Sequence, residues 1–223
     1  EDILYNTFEK FVHPDDRDNS RNDLEKLKNG GKTYGFENRY INKSGNIIWL
    51  SWTSNSSLTE GVIYATARNI TEEKRLRELN KQVSKLAKIG SWEVNFANDE
   101  IIWSEMLHEL HETDPKSFTP NLESSFNFYR EDFKELVREN VEKCMSSGIP
   151  FDFEAVIITA KKNDRWIRAI GNAEMVNGKC QRIYGSFQDI HQQKLNELAL
   201  QKSIRELKDY KFSLDQSAII AIT

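Results

Sequence analysis

The stretch Gly148-Ile-Pro-Phe-Asp-Phe-Glu154 decides the fold, because it is a second version of Gly31-Lys-Thr-Tyr-Gly-Phe-Glu37, 117 residues earlier. The same displacement superposes further identical residues on both sides: Phe11 on Phe128, Asp15 on Asp132, Arg21 on Arg138 and Trp49 on Trp166. After the tryptophans a displacement of 120 superposes Tyr64 on Tyr184, Ile70 on Ile190 and Lys74 on Lys194. Repetition at a nearly constant spacing indicates two copies of one module.

The second copy shows which elements the module contains. Trp92, Val94 and Phe96 alternate with polar residues, which predicts a half-buried strand, and 101–103 predicts a short second one. Helices are predicted over 104–112 and 131–147, and Asn177-Gly178 is typical of a two-residue hairpin turn. Three later strands each place one set of residues on a common face: Phe151, Phe153, Ala155 and Ile157; Ile167, Ala169, Gly171 and Ala173; Ile183, Gly185 and Phe187.

These elements predict an α+β fold of tandem modules, each an antiparallel five-stranded sheet with flanking helices. The modules are joined by amphipathic, coiled-coil-like linker helices, and the first module lacks its N-terminal part. The predicted order is the C-terminal part of a first module at 1–71, a linker helix at 72–88, a complete second module at 89–190, a second linker helix at 191–211, and a helix end leading into the first strand of a third module at 212–223.

The first linker helix carries Leu76, Leu79, Val83 and Leu86 at steps of 3, 4 and 3 residues. This spacing favours a parallel dimeric coiled coil, and therefore a homodimer through the linker helices. The alternative is that the stripe packs on the helix's own sheet. The second linker helix keeps a poorer register, with Leu195, Leu198, Leu200, Ile204 and Leu207.

Composition excludes several classes of partner. The net charge of −4 over 223 residues offers no basic field for nucleic acid or an anionic membrane. The longest apolar run is five residues, at 218–222, too short to cross a bilayer. Two cysteines fit a reducing cytoplasm. Since the chain starts at Glu1 without a Met, we expect a fragment of a cytoplasmic protein whose upstream part can include a membrane anchor.

Several short motifs, in order, give the chain a family likeness. The second copy contains Gly90-Ser-Trp-Glu-Val94, Ile102-Trp-Ser104, Arg165-Trp166 and Tyr184-Gly-Ser-Phe-Gln-Asp-Ile190, and the first contains His13-Pro-Asp-Asp-Arg17, Arg39-Tyr40, Lys43-Ser-Gly45 and Asn69-Ile-Thr-Glu-Glu-Lys74. This series resembles PAS domains, and more narrowly the PAS fold with its C-terminal motif found in bacterial sensory-box histidine kinases.

The resemblance implies a sensory and signal-relay segment of a histidine kinase in a two-component system, with the output domain downstream in the same chain. A ligand-free dimerisation spacer, or a sensor attached to a cyclic-dinucleotide enzyme or a transcription regulator, stays open. The resemblance also implies a junction between the sheet and the outgoing helix, at Asn69, Ile70, Thr71, Asp189 and Ile190. Because the usual Asp of this junction is Asn69 in the first copy, its coupling there is in doubt, although Thr71 can still cap the helix.

The small residues on the sheet face of the second copy leave room for a small-molecule ligand or for the protein's own aromatic rings, and filling by Trp92, Phe153 and Phe187 is the default. The predicted pocket consists of Trp92, Val94, Phe153, Ala155, Ile167, Ala169, Gly185 and Phe187. The resemblance also disfavours haem, because haem-binding relatives supply a His from the long helix and 131–147 has none, and flavin, because the Asn-Cys-Arg motif of flavin-binding relatives does not occur. We expect His108 and His111 on the surface, and we predict no metal site and no catalytic site in these residues.

Overall fold

The computed structural model describes residues 7–220, with side chains as far as residue 215. The chain divides between Gln82 and Val83 into two compact units, each with its own antiparallel sheet. The fold is therefore α+β, with two related modules, as the sequence predicts. No helix in the described part of the chain is long and apolar enough to cross a membrane.

The first unit contains a helix and a three-stranded sheet of order β1-β2-β3. Short 3₁₀ turns at Phe8–Lys10 and Pro14–Asp16 precede the helix. Its elements are α1 (Arg17–Lys28), β1 (Lys32–Ile41), β2 (Ile47–Ser57), β3 (Val62–Asn69) and the outgoing helix α2 (Thr71–Ala87).

The second unit contains a five-stranded sheet of order β5-β4-β8-β7-β6. Its elements are β4 (Ile89–Asn95), β5 (Glu100–Trp103), α3 (Glu105–His111), α4 (Leu122–Asn127), a 3₁₀ turn at Glu131–Phe133, α5 (Lys134–Ser147), β6 (Phe151–Ile158), β7 (Asp164–Val176), β8 (Lys179–Asp189) and α6 (His191–Ile220). All but α4 correspond to predicted elements, although α6 extends beyond its predicted end. Strand β4, the first of this unit, pairs with β8, its last, so the two ends of the unit's chain are neighbours in the middle of the sheet.

The two sheets pair in the same register. Leu50 lies opposite Asn69 in the first unit, and the equivalent Ile167 lies opposite Asp189 in the second. The three extra residues of the second copy lengthen the β7–β8 hairpin, whose turn residues Asn177 and Gly178 both have positive φ, as a tight hairpin requires. The repeat is thus one of three-dimensional structure as well as of sequence.

The core of the second unit lies between the inner face of its sheet and helices α3 and α5. Val137 and Cys144 of α5 are buried against the sheet, and α5 ends at Gly148 in the left-handed conformation. The predicted inward residues of β6 are all buried: Phe151, Phe153, Ala155 and Ile157. In the described part of the first unit no strand corresponds to β4 or β5.

The linker helices differ from the predicted bounds mainly at the end of the chain. Helix α2 spans Thr71–Ala87, one residue from the predicted limits. Helix α6 continues through Ile220, so 212–220 is helical where the sequence suggested an approach to a strand. The helix continues because no Gly or Pro interrupts 191–220. The predicted start of a third module stays a prediction, since 221–223 lie outside the described residues.

Candidate functional site

A cavity of about 130 Å³ lies in the second unit between the sheet and helices α3, α4 and α5. Of the eight predicted pocket residues, Trp92, Val94 and Phe187 line it. Four others are buried in the core without forming its wall: Phe153, Ala155, Ile167 and Ala169. Gly185 lies beneath Trp92, where a Cβ would be 2.8 Å from the indole ring.

Aromatic rings lie over Gly171 of β7 and Gly185 of β8. A Cβ on Gly171 would collide with the ring of Phe151, and one on Gly185 would collide with the carbonyl oxygen of Ile170. The rings of Trp92 and Phe151 stack with centroids 6.1 Å apart and planes 8° from parallel. Small residues on this face therefore accommodate the protein's own rings, and the cavity lies beyond those rings, toward the helices.

His108 and His111 are buried, which corrects the expectation that they are surface residues. Ser104 caps α3 by accepting from the Leu107 N–H, and this orientation turns both histidines inward with Leu107 and Leu110. The ring of His111 packs against Trp103 with centroids 4.4 Å apart and planes tilted by 36°, and its Nδ1 lies 2.9 Å from the Leu107 carbonyl oxygen. Within the described part of the chain, no group of three potential metal-binding side chains occurs.

Burial sets the charge state of the cavity wall. It lowers the pKa of His111 to about 4, so this imidazole is neutral at physiological pH. Because the Leu107 carbonyl can only accept, Nδ1 carries the proton and Nε2 is left as an acceptor. Burial also raises the pKa of Tyr129, another wall residue. Sequence reasoning expected His111 on the surface and did not single out Tyr129, because neither position carries a periodic signal of burial.

At the end of the second unit's sheet, Asp189 holds the first turn of α6. Its Oδ1 accepts from the His191 N–H at 2.9 Å, and its Oδ2 lies 3.1 Å from the Arg165 guanidinium. The Ile190 N–H donates to the carbonyl of Trp166, and the Trp166 N–H donates to His191 Nδ1. Together, these four contacts hold the start of α6 to the ends of β7 and β8.

The first unit makes the same junction with different residues. Asn69 Oδ1 accepts from the Thr71 N–H at 3.0 Å, while the Thr71 hydroxyl accepts from the Trp49 N–H. Asn69, and not Thr71, is thus the cap. The Thr71 hydroxyl accepts the hydrogen bond from the strand tryptophan's N–H, as His191 Nδ1 does in the second unit. The start of α2 is thus hydrogen-bonded to its sheet although the usual Asp is missing, but the uncharged Asn69 makes no ion pair like that of Asp189 with Arg165.

Equivalent lysines in the two outgoing helices make the same contacts with their own sheets. Lys74 pairs with Glu37 of β1 and lies 5.0 Å from the centre of the Trp49 ring. Lys194 pairs with Glu154 of β6 and lies 5.8 Å from the ring of Trp166. The first turn of each helix is therefore held to its own sheet by a charge pair and a cation–π contact.

Glu112, at the C-terminus of α3, connects the cavity wall to this junction. Its carboxylate accepts from the Thr159 hydroxyl and the Asn163 amide in the β6–β7 turn, and lies 3.7 Å from the Arg165 guanidinium. These hydrogen bonds and the guanidinium hold the pKa of Glu112 below its usual range. Arg165 then contacts Asp189, so a continuous polar path runs from the residue after His111 to the start of α6.

A family model described as the PAS fold matches residues 1–64 and 100–187, which together are more than half of the chain. The chain belongs to the PAS-fold family. The two matched segments fall on the two units, so each unit is a PAS module.

Solved structures of PAS modules resemble this chain. A sensory box histidine kinase/response regulator from Burkholderia thailandensis is 20% identical, with a TM-score of 0.50, over 58% of this chain and 97% of that one. The N-terminal domain of a diguanylate cyclase with PAS/PAC sensor from Marinobacter aquaeolei is 15% identical, with a TM-score of 0.43, over 48% of this chain and 98% of that one. No curated protein matches the chain significantly.

The apolar stripe of the helix between the two PAS modules is exposed. Leu76, Leu79 and Val83 are each about half exposed, and Leu86 is 86% exposed. The apolar side chains of α6 are exposed as well: Leu195, Leu198, Leu200, Ile204 and Leu207. Neither stripe is buried against its own sheet, which counts against the alternative raised for α2.

Proposed function

We propose that the chain is the sensory and signal-relay segment of a cytoplasmic sensor histidine kinase of a two-component system. The observation that carries the proposal is the polar path from the cavity wall through Glu112, Arg165 and Asp189 to the first turn of α6. A PAS module has no reaction to perform in this scheme. Its output is the position of a helix that leads toward a downstream catalytic domain.

The relay works through two positions of one helix. A ligand, partner or redox change alters the packing of the sheet of the second PAS module near Phe153, Ile167 and Phe187. Arg165 and Asp189 transmit the change, because their ion pair joins β7 to the cap of α6. The helix then rotates or shifts against its mate in a homodimer, which biases the output domain between two states.

The homodimer is supported by the exposed stripes. Four exposed apolar side chains at steps of 3, 4 and 3 residues on α2 form the seam that a two-stranded coiled coil buries. Leaving such a seam in water is unfavourable by roughly 25 cal/mol per Å² of apolar surface. A second copy of the chain supplies the matching seam, and it aligns the two sets of PAS modules in parallel.

One observation favours a different function, a ligand-free dimerisation and spacer array. Phe151 and Trp92 occupy the space above Gly171 and Gly185, so most of the predicted pocket is filled by the protein itself. In that case the PAS modules set the spacing of the dimer and bind nothing. The same array attached to a cyclic-dinucleotide enzyme or a transcription regulator differs only in its output domain.

The full-length parent protein tests the relay. We expect Asp189→Ala to abolish the regulated change in autophosphorylation while leaving the PAS modules folded, because both the cap and the ion pair are removed. The matched control is Asp152→Asn, which breaks an exposed pair with Arg168 away from the junction. Unchanged regulation in Asp189→Ala would contradict the relay, and a parent that forms no phosphohistidine would contradict the kinase.

A further inference from the structure

The cavity of the second PAS module has the size of one aromatic ring. Its volume of about 130 Å³ is close to the roughly 150 Å³ that holds a single benzene in an engineered protein cavity. It is well below the roughly 300–1,000 Å³ of sites for drug-sized ligands. Trp92 and Phe187 meet edge to face in its wall, with centroids 6.3 Å apart, so a third ring fits the same packing.

The wall of this cavity is uncharged. None of the described residues that line it is Asp, Glu, Lys or Arg. His111 and Tyr129 are both neutral near pH 7 because burial shifts their pKa values in the directions that favour the neutral forms. A carboxylate or ammonium group placed here would lose its water and gain no counter-charge, which disfavours charged ligands.

Two polar atoms of the wall residues lack a partner. Among the described side chains, Trp92 Nε1 and Ser125 Oγ are the buried polar atoms that make no hydrogen bond. Both residues line the cavity. Native proteins rarely leave buried donors unsatisfied, so an unpaired indole N–H and hydroxyl at one cavity point to a missing partner with an oxygen atom. His111 Nε2 adds an acceptor in the same wall.

We propose that the cavity binds a small, uncharged, single-ring aromatic molecule bearing a hydroxyl group. The ring fills the apolar volume among Trp92, Phe151 and Phe187. The hydroxyl oxygen accepts a hydrogen bond from the Trp92 indole or the Ser125 hydroxyl, and its proton has His111 Nε2 as an available acceptor. This inference rests on the sensory role proposed above and names the chemistry that such a sensor would detect.

The test is a titration of the full chain with three probes, benzene, phenol and benzoate, followed by the indole ¹⁵N–¹H resonances of the five tryptophans. The Trp92 resonance is assigned by its disappearance in Trp92→Phe. We expect phenol to bind on the order of tenfold more tightly than benzene, because it satisfies polar atoms that benzene leaves unpaired. We expect benzoate not to bind, and phenol to shift the Trp92 indole resonance.

A conservative pair of variants separates the hydrogen bond from folding. Ser125→Ala removes the unpaired hydroxyl. It should weaken the binding of phenol several-fold and leave the affinity for benzene unchanged. Its matched control is Ser146→Ala, an exposed serine whose hydroxyl donates to the Glu142 carbonyl of its own helix. Equal affinity for phenol and benzene, tight binding of benzoate, or no binding of either neutral probe would each overturn the proposal.

The titration and the Asp189→Ala experiment can each contradict one proposal without contradicting the other. Phenol binding with the expected preference, together with unchanged regulation in Asp189→Ala, would support this cavity chemistry and count against the relay alone. Lost regulation in Asp189→Ala with no binding of phenol or benzene would overturn the ligand class alone.

Discussion

Asp189 and Asn69 occupy equivalent positions in the two PAS modules and cap the outgoing helices in the same way. Asp189 accepts from the N–H two residues ahead at 2.9 Å, and Asn69 does so at 3.0 Å. Asn and Asp are nearly equal as N-caps, so the hydrogen bond survives the exchange. What differs is charge, since only Asp189 pairs with an arginine, Arg165.

The first prediction separates the cap of α6 from its ion pair. Asp189→Asn keeps the cap and removes the charge, as Asn69 already does in the first module. Asp189→Ala removes both, and loss of a cap costs about 1 kcal/mol. We therefore expect amide exchange in the first turn of α6 to quicken roughly fivefold in Asp189→Ala and to change little in Asp189→Asn.

Asn69→Asp in the first module serves as the control for that comparison. It keeps the cap of α2, so exchange in the first turn of α2 should stay as it is in the wild type. Equal loss of protection in Asp189→Asn and Asp189→Ala would mean that the ion pair with Arg165, and not the cap, holds the start of α6.

The second prediction concerns the dimer seam on α2. Leu79 is half exposed at the centre of the stripe, and Leu79→Lys would place a charge in the proposed coiled-coil core. We expect the dimer to dissociate at a protein concentration at least tenfold higher than for the wild type, as measured by sedimentation equilibrium. Ser84→Lys is the matched control, because residue 84 is a b position on the outer side of the helix and should leave the dimer intact.

If Leu79→Lys and wild type have the same molar mass at every concentration, α2 is not the dimer seam. A wild-type chain that stays monomeric at high concentration would have the same consequence. The exposed stripe would then need a different partner.

The repeat made the fold predictable because each copy provides an independent check on the elements that the other copy predicts. Trp49 and Trp166, which are 117 residues apart, lie at the same place in equivalent hairpins. Trp49 pairs with Arg39 of β1 and Trp166 pairs with Val156 of β6, and these two partners are also 117 residues apart. Strand periodicity then fixed which residues of β6 face inward. Helix α4 was missed because its six residues are too few for a periodic signal, although its capping box at Asn121 and Ser124 was readable.

The third prediction is a loss of stability in mild acid. The pKa of His111 is about 4 in the folded protein and about 6.5 when unfolded. Between these values the unfolded chain binds a proton that the folded one does not, so stability is full above pH 6.5 and falls as the pH decreases. We expect the second module to lose about 2 kcal/mol between pH 7 and pH 5, with His108 adding in the same direction.

Amide exchange in β6–β8, corrected for the intrinsic effect of pH, measures this loss at a pH where the carboxylates are still ionised. His111→Phe keeps the ring contacts with Trp103 and Phe128 and removes the titrating group. It should flatten most of the pH dependence, whereas His13→Gln in the first module should leave it unchanged. A steep slope that persists in His111→Phe would place the titrating group elsewhere.

The cavity was harder to predict than the fold. Trp92 and Phe187 were found because they alternate along strands, but His111, Ser125 and Tyr129 come from short helices and a loop. Their burial depends on how α3 and α4 pack, which no local pattern encodes. The pair of histidines in α3 looked like a polar surface because hydrogen bonding to Leu107 and Thr113, which makes burial tolerable, is visible only in three dimensions.

The fourth prediction tests whether Phe151 fills the space above Gly171. A methyl group on Gly171 would collide with the Phe151 ring, and overpacking of this kind costs about 1–3 kcal/mol. We expect Gly171→Ala to destabilise the second module by that amount in amide exchange of β6–β8. Gly171 has no positive φ, so backbone strain does not contribute to the effect.

Phe151→Leu provides the second arm of a double-mutant cycle. Alone it should destabilise the module, because a smaller side chain leaves space above Gly171. Combined with Gly171→Ala, the added methyl group occupies that space, so the double variant should be more stable than the sum of the single effects by about 1 kcal/mol. Strictly additive effects would mean that Phe151 and Gly171 do not share this space, and that the small residues of the sheet face are there for another occupant.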